Sequence, residues 1–485
     1  MSDIHPLAER SLVDRLRDGT FDAFAETAAA VHNCARPVRL VGSSTTVDAT
    51  TGEILGGFSS AQTPMGVLYR ACGNRRADVC PSCSRVYARD VFAMIRSGIA
   101  GGKTIPESVA DNPLLFITFT PPSFGPVHGP RPKNGQRTGG RCRPRDKARV
   151  CEHGRKTSCM AIHGEDDPRN GSPLCPDCYD WESAVIWQWW APELWRRTTI
   201  ALRRALAREL GVPEKRLKVV ASLQYAKVGE YQARGLIHFH ALVRVDGPDG
   251  PGSPAPLDGT QVAEILTNAA RSVSFTSPPV DDEDQARTLG WGRQLDVRVV
   301  RDGHRTDDPV GLITPGQVAG YLAKYATKDA NSLRSPHDPR PHLIRMGQVC
   351  RDLAARAQVA DADRTADAER SPYLLMAKWA HMLGFRGHFA TKSRRYSITL
   401  GALRRARRRF QTMAAESRRA GEPLDTTDLA ARLLADEEET TLVIGSWTYQ
   451  GTGWTRPGDE ALALAAAARA REHDQWKADQ KHHNA

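Results

Sequence analysis

Residues 225–245 read YAKVGEYQARGLIHFHALVRV, and the fold turns on how this stretch is read. Leu236 to Val245 is rich in apolar and β-branched residues, as a strand with a buried face would be. Lys218 to Gln232 before it also reads as extended, and Arg234-Gly235 marks a turn, so the pair predicts a β-hairpin. His238 and His240 are two apart and therefore share one face of their strand. Two neighbouring imidazoles can take a divalent metal. An isolated His-x-His is more often a packing feature, so the case rests on what flanks it.

Upstream, Leu115 to Thr120 reads LFITFT, a short strand of high β propensity ended by Pro121-Pro122. His128 follows in a loop, where a structural role is as natural as a ligand role. Downstream, Thr314-Pro315-Gly316-Gln317 combines a capping box with proline at the first helical position. The helix it opens carries YLAKYATK, with Tyr321 and Tyr325 one turn apart and Lys328 in the same stripe.

The ten cysteines fall in clusters whose spacing suits zinc better than disulfides. Cys80 and Cys83 form a Cys-x-x-Cys knuckle, and Cys72 and Cys34 complete a set of four. Residues 129–172 read as an irregular excursion rich in Gly, Pro and Arg. Ordering such a segment costs about 1–2 kcal/mol per residue, which structural zinc offsets at about 10–16 kcal/mol per ion. The first-choice ligands are Cys151, Cys159, Cys175 and Cys178, with Cys142, His153 or His163 able to replace one, or to serve a second ion. These sets are closed, the structural type of zinc site.

A chain of 485 residues with 40% hydrophobic content holds several units and a real core. Four regions are expected: a helical segment 1–30, a Cys-rich zinc region 31–110, a core 111–335 with a zinc insertion at about 129–180, and a basic, mostly helical region 336–485. No apolar run is long enough to span a membrane and the polar start lacks a signal-peptide core, so a cytoplasmic protein with no membrane partner is expected. The net charge of +11 favours nucleic acid as partner. The densest basic stretch, Arg386 to Phe410, makes Arg386, Lys392, Arg394 and Arg395 candidate DNA contacts. No GxxxxGK[ST] loop is visible, so a helicase would have to come from the host.

Strand, His-x-His hairpin and two-tyrosine helix, in that order, resemble the three motifs of the HUH endonucleases that initiate rolling-circle replication. The likeness is to the two-tyrosine kind, as in the A proteins of small single-stranded DNA phages. Glu230 stands eight positions before His238, where that family has an acidic residue, and Gly235 falls at its turn glycine. CPSCSRVYARD, FITFTPPSFGPVH, PLCPDCYD and HMLGFRGHFATKSRRYS resemble replication initiators of actinobacterial plasmids and integrative elements. The resemblance implies an α+β fold: an antiparallel sheet with a metal site on its central hairpin, a tyrosine helix, zinc-binding insertions and a helical C-terminal region.

It also implies a nickase and strand transferase. Mg²⁺ or Mn²⁺ would sit on His238, His240 and either Glu230 or Gln232; a three-residue turn puts Glu230 on the face of His238, and a two-residue turn removes it. Tyr325 would attack first and Tyr321 second, with Lys328 stabilising phosphate charge. The partners would be single-stranded or supercoiled origin DNA with a host helicase and polymerase. Other readings are an HUH transposase or relaxase, or a non-catalytic zinc-dependent DNA-binding regulator.

Overall fold

The run around the two histidines becomes the middle of a five-stranded antiparallel sheet. The computed structural model describes residues 6–63, 65–134, 136–145, 147, 149–301, 315–326, 340–362, 369–435 and 441–483. Within them the chain is a mixed α+β protein with antiparallel sheets. It divides into two compact units: Met1–Val91 with Thr399–Ala485, and Phe92–Ile398.

The second unit holds the five-stranded sheet. Its strands are β1 (Leu114–Phe119), β2 (Ser222–Tyr231), β3 (Ile237–Asp246), β4 (Leu295–Arg301) and β5 (Ala390–Lys392). They lie in the order β4-β1-β3-β2-β5. Strand alternation sorts the side chains. Leu115, Ile117 and Phe119 of β1 and Phe239, Ala241 and Val243 of β3 fill one face and are buried in the main core. Phe116, Thr118, His238 and His240 take the opposite face.

The core face is covered by a long helix, α1 (Trp181–Glu209), capped by Asp180, whose carboxylate accepts from the Ser183 backbone N–H. Trp187 and Trp189 of α1 are fully buried. Three further helices belong to this unit: α2 (Gly259–Arg271), with an Asp258–Gln261 capping box, α3 (Pro315–Ala326) and α4 (Pro341–Ala362). At the far end of β3, Arg244 and Asp246 form a fully buried ion pair of 2.7 Å. Asn112 and the carbonyls of Gly98 and Tyr396 satisfy their remaining polar atoms.

The first unit joins the two ends of the chain. Val38–Asp48 pairs along its length with Thr441–Thr452, and with Ile54–Ser59 and Leu68–Arg70. Helices Pro6–Arg17 and Asp459–His483 are pinned by a buried Arg15–Asp459 pair of 2.6 Å, with Ser11 donating to the same carboxylate. No helix among the described residues is long and apolar enough to cross a membrane.

Several elements depart from the sequence expectation. Residues 411–445 read as helical, yet from Thr441 the chain is strand, because its Thr, Val and Ile side chains suit the long pairing with Val38–Asp48. Residues 214–219 form a 3-10 turn with Leu217 buried, so β2 starts at Ser222 rather than Lys218. The excursion at 129–172 contains three short paired strands, Arg131–Lys133, Gln136–Arg143 and Cys159–Ile162. The basic C-terminal region is not one body: through Ile398 it belongs to the unit with the five-stranded sheet, and from Thr399 to the other.

The core also takes in a lysine. Lys227 of β2 is buried, with its amine 4.1 Å above the Phe239 ring and donating to the His388 carbonyl. Burial lowers its pKa to about 7. From about pH 7 to its unfolded value near 10.4, the unfolded chain holds a proton that the folded chain has released. Stability therefore rises with pH across that window, by up to about 1.4 kcal/mol per pH unit. Lys227→Met should be more stable than the parent at about pH 7, with the advantage shrinking towards about pH 10. Urea midpoints of the two proteins across that range check it, and a pH-independent difference would exclude a titrating Lys227.

Candidate functional site

The site is built by register. Gln232 N–H donates to Leu236 O, and Gly235 N–H donates to Gln232 O, so the loop between them is Ala233-Arg234-Gly235. Gly235 has φ +82°, the left-handed conformation that ends a three-residue hairpin loop and favours glycine. This length pairs Glu230 directly with His238 and Val228 with His240. Glu230 thus shares a face with both histidines.

The Glu230 Oε2 lies 2.9 Å from His238 Nε2 and 3.3 Å from His240 Nε2. Burial opposes the ionised Glu230 carboxyl, but its hydrogen bonds with the two imidazoles outweigh that and bring its pKa down to about 2. Burial pushes His240 below the usual histidine range, more than Glu230 raises it. An ionised carboxylate beside a neutral imidazole is the protonation state a cation requires. All three donor atoms lie within 4.8 Å of one another. Three mixed N,N,O donors suit Mg²⁺ or Mn²⁺ and leave positions for phosphate oxygens. The Gln232 Oε1 instead accepts from Arg234 Nε at 2.8 Å.

Two residues of β1 orient His240. Thr118 is paired with His240, and its hydroxyl lies 3.1 Å from His240 Nδ1, which turns Nε2 towards Glu230. Phe116 stacks on the His240 ring at 5.5 Å. The alternation of LFITFT held this signal, because it puts Phe116 and Thr118 on one face, but the register with β3 was needed to read it.

Helix α3 brings Tyr321 to the same point. Its exposed ring is 5.7 Å from that of His240 and 6.0 Å from Phe116. The backbone of Tyr325 lies within α3, but its side chain is outside the described residues, as are Thr314 and Lys328.

The turn itself is braced. Gln188 of α1, fully buried, donates to Gly235 O at 3.0 Å and accepts from Ile237 N–H at 2.9 Å. Arg234 donates to the carbonyls of Pro121 and Pro122, both at 2.9 Å, tying the turn to the end of β1. Beside it opens a cleft of about 910 Å³ lined by Arg131, Arg143, Arg234 and Arg293 and, among the described residues, no carboxylate.

The expected DNA contacts fall elsewhere. The Arg386 guanidinium lies over Trp189 and Trp190 at 4.4 and 5.2 Å. Lys392 donates to the Ser393 and Arg394 carbonyls, and burial lowers its pKa to about 8. Arg394 and Arg395 open onto a cavity shared with Arg203, Lys215 and Lys218, at the Gln224 end of β2. At about 3.3 Å per residue, that end is roughly 20 Å from Glu230 along the strand.

Among the described residues, nine of the ten cysteines gather with three histidines into three groups of four. Cys34, Cys72, Cys80 and Cys83 come together as the spacing predicts. The Cys34 and Cys80 sulfurs are 3.8 Å apart, the edge of a tetrahedron with the roughly 2.3 Å arms of zinc–thiolate bonds. Hydrogen bonds with Cys34 and then Cys83 hold the Cys80 thiol far below its ordinary value, while contacts with Cys34 and Cys80 push Cys83 far up. The second expected set is divided. Cys151, Cys175 and Cys178 are joined by His153, whose Nδ1 is 3.2 Å from Cys178 Sγ, and Cys159 stands in a separate group with His128, Cys142 and His163.

The family model described as the replication initiator protein of pSAM2 matches residues 20–468. A replication initiator protein of Streptomyces ambofaciens is 40% identical over 451 residues, covering 89% of this chain and 87% of that protein. No solved structure matches.

Thr118→Val removes the hydroxyl that orients His240. Affinity of the Glu230–His238–His240 group for Mn²⁺ should fall about 10- to 100-fold, as for other residues that orient a metal ligand. Titration by electron paramagnetic resonance checks this, and unchanged affinity would remove Thr118 from the site.

Proposed function

The chain belongs to the replication initiator protein family of pSAM2, and on that premise we propose that it begins rolling-circle replication by nicking one strand of its origin DNA. The observation that carries this reading is the register that gathers Glu230, His238 and His240 beside Tyr321. On this reading the sheet, hairpin and tyrosine helix form an HUH-type nuclease core. Glu230, His238 and His240 would hold Mg²⁺ or Mn²⁺. Such an ion, when bound, draws charge from the non-bridging oxygens of a phosphate and offsets charge that develops there.

The remaining chemistry belongs to the chain. A tyrosine hydroxyl attacks phosphorus, the bond from phosphorus to O3′ breaks, and the tyrosine proton ends on O3′. The products are a 5′-phosphotyrosine and a free 3′-OH for a polymerase. The phosphodiester is exchanged rather than hydrolysed, so the linked strand can be rejoined. Tyr321, beside His240, takes one of two such transfers, and Tyr325, a helical turn on, takes the other. Lys328, three positions after Tyr325 in the sequence, would serve phosphate charge.

The arginine cleft beside the turn would carry the strand next to the scissile phosphate. Arg386, Lys392, Arg394 and Arg395 would serve a more distant part of the origin, as sequence-independent contacts. Structural zinc would sit on Cys34, Cys72, Cys80 and Cys83, and on Cys151, Cys175 and Cys178 with His153. A host helicase would open the duplex.

The test uses a 5′-labelled single strand from the element's origin with Mn²⁺, resolved on a denaturing gel. Wild-type protein should give a shortened labelled strand and a protein-linked 3′ portion. His238→Ala should lower the rate by about 100-fold or more, as loss of one major electrostatic stabiliser does. Adduct formation should survive in Tyr321→Phe, fall sharply in Tyr325→Phe, the expected first nucleophile, and vanish in the double variant. Binding without cleavage by metal-loaded wild-type protein would favour a zinc-dependent regulator instead.

A further inference from the structure

His128, Cys142, Cys159 and His163 are not used by the reading above. We propose that these four residues hold a zinc ion of their own, and that this ion braces the turn of the Glu230–His238 hairpin. Their donor atoms lie within 4.8 Å of one another. His163 Nε2 is 3.2 Å from His128 Nδ1 and 3.5 Å from Cys159 Sγ. The Gly129 N–H donates to Cys142 Sγ at 3.4 Å, a bond that stabilises a thiolate.

The outer contact is the stronger argument. His163 is fully buried, and its Nδ1 lies 2.7 Å from Asp167 Oδ2. A carboxylate accepts a hydrogen bond from Nδ1–H, which fixes the tautomer and leaves the Nε2 lone pair facing the group, as in carboxylate–histidine–zinc arrangements. Two thiols and two imidazoles form a closed tetrahedral donor set of the structural kind.

The order of ligands along the chain gives the group a further meaning. His128 and Cys142 come first, then Cys151 and His153, then Cys159 and His163, then Cys175 and Cys178. Ligands of the two groups alternate pair by pair, so each ion closes a loop that contains ligands of the other. Spacing alone pairs near neighbours, and so groups Cys159 with Cys151.

The brace runs from His128 to the turn. His128 N–H donates to Ser172 O at 2.8 Å, and Gly171 N–H donates to His128 O at 2.9 Å. Gly171 has φ +87°, and a Cβ there would lie 2.2 Å from the Ala233 carbonyl, so it sits directly against the turn. His342 of α4 bridges the same two segments, its Nε2 donating to Ala233 O at 2.9 Å and its Nδ1 accepting from Ser172 Oγ at 3.1 Å.

The experiment reads zinc and thiol protection rather than cleavage, so it fails or succeeds independently of the nicking reading. Full-length protein is alkylated under reductant, with and without a zinc chelator, and each cysteine is followed by peptide mass spectrometry beside elemental analysis. Cys142 and Cys159 should resist alkylation until zinc is removed, and the intact chain should hold three zinc equivalents. Asp167→Asn should release one equivalent about 10- to 100-fold faster to the chelator. Amide exchange at Gly171, Ser172 and Ala233 should rise as zinc is lost. Rapid alkylation of Cys142 and Cys159 in native protein, or protection that persists after zinc is stripped, would overturn the proposal.

Discussion

One residue more or less in the turn at Ala233-Arg234-Gly235 would dismantle the site. Strand side chains alternate, so a single-residue slip sends Glu230 to the core face and leaves two histidines without their carboxylate. The slip would also bring Gly229 or Tyr231 opposite His238. The loop length is therefore a constraint on chemistry as much as on folding. It is met by a glycine at φ +82° that has no room for a side chain, since a Cβ would come within 2.7 Å of Met346 Sδ and 2.8 Å of Leu343 Cδ2. Conformation and packing select the same residue, so the turn is specified twice.

A turn of three residues does not hold its register unaided, and the fold brings four separate elements to it. Helix α1 contributes Gln188, a buried amide whose two ends satisfy the backbone on either side of Leu236. Arg234 reaches back to the prolines after β1, His342 of α4 holds the Ala233 carbonyl, and Gly171 presses on the same peptide. Each contact is modest, since one hydrogen bond contributes about 1 kcal/mol net. Their common target makes them cooperative: the turn cannot shift without breaking contacts to several elements at once.

Much of this was legible in the chain and part was not. The hairpin, the His-x-His pair and the two-tyrosine helix were readable because period-2 and period-3.6 patterns are local properties. Cys34 with Cys72, Cys80 and Cys83 was readable because two of the four lie in one knuckle. The pairing of Thr118 with His240 and the reach of Gln188 depend on strand register and helix docking, which no local pattern carries. The same holds for Thr441–Thr452, whose strand conformation is fixed by a partner some 400 positions away. For Arg386 the local pattern shows only a basic stretch; that its guanidinium lies on Trp189 and Trp190 depends on how α1 docks.

On the proposed reading, the donor sets would let one chain carry two kinds of metal chemistry. The cysteine groups offer four soft or borderline ligands each, a set that favours zinc and leaves no open position. The hairpin offers two imidazoles and a carboxylate with no thiol among the three. Such a set binds zinc without excluding harder ions, and its vacant positions favour a metal that accepts phosphate oxygen. Thiolate donors are in general the stronger zinc ligands. The separation is also one of elements: the hairpin donors lie on β2 and β3, while two of the cysteine-containing groups are held on the insertion after β1. On the proposed reading, the insertion keeps its zinc out of the nicking site while its Gly171 holds that site's turn in place.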